Sequence, residues 1–92
     1  GNLGLVAKEQ GDIDAAGDYL NQALDLHEEL GSKEGMALNY AGLGAVAVVR
    51  GDLLEARQFW VQARGLYAEM GVQPEVAQFD EWLADLEPPA EP

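Results

Sequence analysis

The 92-residue chain contains no cysteine, which excludes disulfides, thiolate metal sites and cysteine nucleophiles. A cysteine-free chain suits the reducing cytoplasm, and that is the expected location. Positive charge is scarce: five Lys and Arg stand against 17 Asp and Glu, for a net charge of −12. Such a field repels nucleic-acid backbones and anionic membrane surfaces, so neither is expected as a partner. No apolar run approaches the roughly 20 residues needed to cross a bilayer. The opening Gly1-Asn2-Leu3-Gly4 lacks the basic flank and apolar stretch of a signal peptide. It reads as a chain entered mid-helix, which gives the expectation of a C-terminal piece of a longer array. Proline is confined to Pro74 and the closing Pro88, Pro89 and Pro92, so most of the chain is free of helix breakers of that kind.

What the chain does have is a repeat. Residues 1–37 laid on 41–77 match at 13 of 37 positions, an offset of 40. Leu3-Gly4 returns as Leu43-Gly44, Gly11-Asp12 as Gly51-Asp52, Gln22-Ala23 as Gln62-Ala63, and Gly31 as Gly71. A period of this length marks supersecondary units that cannot bury their apolar faces alone and must stack.

Apolar spacing and glycine placement predict about five helices and no strand. The first covers Asn2–Gln10 and is broken by Gly11, with Asp12 or Asp14 capping the second. The second runs to Leu30 with Ala16, Leu20, Ala23, Leu24 and Leu30 on one stripe. Gly31 ends it and Ser32 caps a third helix, Lys33–Arg50, whose inward face holds Met36, Tyr40, Leu43 and Ala47. Gly51-Asp52 turn into a fourth, Leu53–Met70, with Ala56, Trp60, Ala63 and Tyr67 in line. After Gly71, Pro74 opens a fifth that carries Val76, Phe79, Trp82, Leu83 and Leu86. Residues 88–92 read as a disordered tail.

Gly4 and Gly44 sit inside helices, where glycine costs about 1 kcal/mol relative to alanine. That cost is accepted where a neighbouring element must come close, here a helix with small Ala56 and Ala63 on its face. Tyr40-x-x-Leu43-Gly44-x-x-Ala47 followed by Ala56-x-x-x-Trp60 resembles the tetratricopeptide repeat, as does Leu3-Gly4-x-x-Ala7 with Ala16-x-x-x-Leu20. Alanine replaces the family's tyrosine, and the period is longer than its usual 34 residues. The chain is therefore closest to the long-repeat subgroup. The resemblance implies an all-α, right-handed superhelical stack of antiparallel helix hairpins. One repeat would occupy 1–31 with a truncated first helix, a second 32–71, and a capping helix 72–87.

The remaining constellations have plain readings. Asp12-x-Asp14-x-x-x-Asp18 lacks the further oxygen ligands of a calcium loop, so these acids read as caps and solvated charge. His27 is the only histidine and cannot build a typical zinc site; it reads as partly exposed packing. Glu28 and Glu29 with Lys33 read as water-facing charge, and Arg50, Arg57 and Arg64 as partners of local carboxylates. Trp60 and Trp82 read as core by their helical spacing. No nucleophile, metal cluster or phosphate loop is present, so neither an enzyme nor a cofactor is expected.

The resemblance also implies the job, a non-catalytic scaffold that binds a peptide or helix of a partner protein. The family's groove is lined by the first helix of each pair, which here places Leu5 and Lys8 in the first copy. In the second copy the groove residues would be Leu38, Ala41, Ala45, Val48 and Val49. These form an aliphatic surface suited to an amphipathic segment. The alternative is homo-oligomerisation, a homodimer through the uncapped N-terminal face around Leu3 and Val6.

Overall fold

Three glycines with positive φ, Gly31 (68°), Gly51 (84°) and Gly71 (75°), separate four helices in the computed structural model. These are α1 (Asn2–Leu30), α2 (Lys33–Arg50), α3 (Leu53–Met70) and α4 (Gln73–Leu86). The backbone is described for residues 2–86 and side chains for residues 12–86. Among the described residues there is no strand. No helix among them is long and apolar enough to cross a membrane.

The turns work by the same local chemistry. A left-handed residue lets the chain satisfy carbonyls that the ended helix leaves open. Gly51 N–H donates to the Val48 carbonyl at 3.0 Å, and Asp52 N–H to the Ala47 carbonyl at 2.9 Å. The next helix then begins on a side-chain cap. Ser32 accepts from the Gly35 N–H and Asp52 from the Glu55 N–H, both at 3.1 Å. Each cap of this type stabilises its helix by about 1 kcal/mol. Pro74 stands in the first turn of α4, where a missing N–H is not needed.

Gly11 departs from the expectation. It does not break a helix; α1 runs through it, so four helices replace the expected five and neither Asp12 nor Asp14 is a cap. Glycine inside a helix costs only about 1 kcal/mol, which a continuous hydrogen-bonded helix can absorb.

The helices pack in chain order: α1 on α2, α2 on α3, and α3 on α4, with no direct packing of α2 on α4. Helix α3 is thus the central element. Its Ala56, Trp60, Ala63 and Tyr67 are all buried, and the last three share one core cluster with Ala37 of α2 and Val76 and Phe79 of α4. Gly44 has a specific use here. A Cβ at that position would overlap the Trp60 indole, so the glycine is a notch for a side chain rather than a site of backbone approach. The indole N–H donates to the Ala41 carbonyl at 3.0 Å, which satisfies it inside the core.

The first junction uses the same device. The His27 ring fills the space that a side chain at Gly35 would take, and its Nδ1–H donates to Asn39 Oδ1 at 2.6 Å. The expected α1 stripe is only partly inward. Leu24 is buried and Leu20 half-buried against Gly42, but Ala16 and Leu30 are exposed. On α2, Leu43 and Ala47 are buried as expected, whereas Met36 and Tyr40 are only half-buried.

Surface ions tie the helices together. Arg50 pairs with Asp14 of α1 at 2.6 Å, Arg64 with Asp80 of α4, and Lys33 with Glu69 of α3 at 3.7 Å. Arg50 and Arg64 thus pair with carboxylates of neighbouring helices rather than with local ones, and Lys33, exposed as expected, likewise reaches across to α3.

Candidate interaction groove

Because α2 and α4 both lie against α3 without touching each other, a furrow runs between them. Its floor is Tyr67 of α3. One end is bounded by Leu38, Met70 and Val72, and the other by Ala41, Phe79 and Trp82. The aromatic floor is built by ring packing: Tyr67 stacks on Phe79 at 5.7 Å between centroids, and Phe79 meets Trp82 edge-on at 5.1 Å. Trp60 lies beneath, 5.2 Å from Trp82. Each such pair adds about 0.5–1.5 kcal/mol beyond its buried area, so the floor is pre-formed.

The rims are less buried than the floor. Leu38 is 57% exposed and Trp82 39% exposed, although both are large and apolar. Trp82 was expected in the core. Its helical spacing with Val76 and Phe79 places it on the edge of the apolar stripe, where one ring face packs and the other meets solvent.

The polar groups are acidic. Glu34 stands in the first turn of α2 and Glu75 in the first turn of α4, and both line the furrow beside Tyr67. Burial, then the Glu75 and Glu34 carboxylates, pushes the Tyr67 phenol above its ordinary value of 10.0. The cations of Lys33, Arg50 and Arg64 are directed elsewhere, to Glu69, Asp14 and Asp80.

The residues singled out from sequence divide between two places. Leu38 and Ala41 line the furrow. Ala45 is exposed further along α2, and Val48 is half-buried against the core. Val49, 63% exposed, borders a different recess between α1 and α2 that the Arg50–Asp14 pair closes. The side chains of Leu5, Lys8, Leu3 and Val6 lie outside the described residues, as does the 88–92 tail.

Sequence reasoning found one wall and missed the other. Nothing in the α4 pattern separates a core tryptophan from one at a groove edge. The available signal was an acid in the first turn of each of the two helices, Glu34 and Glu75. Among the described residues no group of His, Cys, Asp or Glu is arranged to hold a metal ion. The arrangement offers apolar and aromatic surface with two carboxylates.

Compared with family models, with curated proteins and with solved structures, the chain matches none of them.

Proposed function

We propose that this chain is a non-catalytic protein-interaction module of tetratricopeptide-like, right-handed superhelical architecture, working in the cytoplasm. It seats a peptide or helix of a partner protein in the furrow between α2 and α4. The observation that carries this reading is the furrow's exposed apolar rims: Leu38 and Trp82 stand 57% and 39% exposed above a packed floor of Tyr67 and Phe79. Burying a partner's apolar side chains there gains roughly 25 cal/mol per Å² of apolar surface removed from water. The rigid floor also spares the ordering cost that a collapsible site would add.

The test is a displayed library of random peptides selected on the immobilised protein. Peptides that emerge should bind at least about tenfold more weakly to a Leu38→Ser, Trp82→Ser variant, a loss of about 1.4 kcal/mol. Far-ultraviolet circular dichroism should stay unchanged, since both side chains sit at the rim. Selected peptides that bind the variant equally well would place recognition elsewhere.

A second reading, self-association through the N-terminal helical face, has its own support. Tyr19 (71% exposed) and Leu26 (54% exposed) lie together with Ala23 on the outer side of α1. Their counterparts Phe59, Ala63 and Leu66 are half-buried or buried. A dimer would cover the α1 set. Sedimentation at high protein concentration checks it: a dimer lost in Tyr19→Ser, Leu26→Ser supports the second reading, and a monomer removes it.

A further inference from the structure

The furrow is selective in charge, which the proposed binding role leaves open. Among the described residues that line it, the ionisable carboxylates are Glu34 and Glu75, and no Lys or Arg joins them. They approach from opposite walls, one on α2 and one on α4, with Tyr67 between them on the floor. Both carboxylates, after burial, contribute to raising the Tyr67 phenol, so both are within electrostatic reach of it.

Acids in a first helical turn have an ordinary role, since they favour the positive end of the helix dipole by about 0.3–1 kcal/mol. That role explains each glutamate singly. It does not explain why both flank one apolar furrow, while Lys33, beside Glu34 in the chain, is turned to Glu69. A cation entering a furrow lined by two carboxylates is attracted by both. Trp82, 39% exposed and lining the furrow with Glu75, supplies the second half of the recognition, because a cation over an exposed ring gains from its quadrupole.

We infer that the occupant of this furrow is a peptide segment carrying one lysine or arginine, held between Glu34 and Glu75 against the exposed Trp82 ring, with apolar neighbours toward Leu38. The inference rests on the furrow being the binding site and adds the chemistry of what it takes. Aliphatic and aromatic rims hold the apolar neighbours, and the carboxylates fix the register of the cation between them. A second copy of this chain is a poor occupant, because two bodies of net charge −12 repel at long range. An anionic membrane or nucleic acid is repelled by the same field.

The experiment reads residue frequencies in the library selection and repeats it on a Glu34→Gln, Glu75→Gln variant. Glutamine keeps the shape and removes the charge. Peptides selected on the native protein should be enriched in one Lys or Arg flanked by apolar residues. One such peptide, made synthetically, should bind the variant about tenfold or more weakly. It should also lose affinity with added salt, as an interaction of opposite charges does. Replacing its cation by norleucine should cost a similar factor on the native protein and little on the variant. Apolar peptides without a cation, still sensitive to Leu38→Ser, would overturn this inference and leave the furrow as the site. Acidic peptides would overturn it as well. A selection that yields no binder would overturn both readings together.

Discussion

Two Gly-Asp pairs lie 40 residues apart and adopt opposite backbones. Gly51, at φ 84°, ends α2, and Asp52 caps α3. Gly11-Asp12 sits within α1, which passes through it without a turn. The other pair of repeated glycines behaves alike: Gly31 and Gly71 are both left-handed, and Ser32 and Val72 donate to the His27 and Tyr67 carbonyls at the same 3.0 Å. The dipeptide therefore permits a turn but does not impose one. What imposes it at 51 is tertiary. The Trp60 indole drops into the notch at Gly44 and draws α3 back along α2, burying Ala56 and Ala63 completely. In the first copy the counterpart of Trp60 is Leu20, which packs forward onto Gly42 of α2, its methyl carbons 3.0 Å from where a Cβ would stand. The counterparts of Ala56 and Ala63, Ala16 and Ala23, are exposed and half-buried. Local sequence sets which residues tolerate a hinge, and packing decides which hinge closes.

Paired glycine substitutions break this comparison most directly. Gly44→Ala should destabilise by about 3 kcal/mol, because the new methyl meets a rigid indole that has no free space to move into. Gly4→Ala should instead be neutral or stabilising by up to about 1 kcal/mol, as for any alanine replacing glycine in a helix. A smaller contrast is expected at the hinges. Gly51→Ala forces an alanine into the left-handed region at a cost of about 1–2 kcal/mol. Gly11→Ala should add helix stability of up to about 1 kcal/mol. Urea denaturation of the four variants reads all of these. Equal losses at 4 and 44, or at 11 and 51, would show that the two copies fold alike after all.

The same contrast explains what could be read in advance. The boundaries of α2 and α3, Lys33–Arg50 and Leu53–Met70, coincide with Ser32, Asp52 and the three turn glycines, residues that permit a turn and cap the next helix where packing closes it. The inward stripe of α3 was equally legible, since Ala56, Trp60, Ala63 and Tyr67 recur at three- and four-residue spacing. Gly11 was not legible, as the same Gly-Asp pair makes the turn at 51 and the difference lies in Trp60 against Leu20. The groove was half legible. Leu38 and Ala41 emerge from α2 periodicity, but Trp82 and Glu75 join them only when α4 is set across α3, a long-range fact that no local pattern contains. The exposed Leu30 has the same origin, for its place on the α1 stripe says nothing of whether a neighbour reaches that far.

The smallest expected effect concerns Tyr67 and its counterpart His27. Burial, with Glu75 and Glu34 nearby, raises the Tyr67 phenol above 10.0; burial and then Glu28 raise Tyr40 likewise. A tyrosine whose folded value exceeds its unfolded value binds its proton more tightly when folded. Its contribution is fully present below about pH 10 and is lost as the pH climbs through the folded value, because the unfolded chain has then released the proton first. Stability should thus be flat in this respect up to about pH 10 and fall above it. Tyr67→Phe should remove part of that alkaline slope and Tyr40→Phe another part, each measured as the urea midpoint against pH. In the first copy His27 fills the place of Tyr67, so the Tyr67 share of the slope belongs to the second copy alone. A Tyr67→Phe profile that still falls as steeply as the parent's would mean that the phenol is in water, with the furrow floor more open than the packing of Phe79 against it implies.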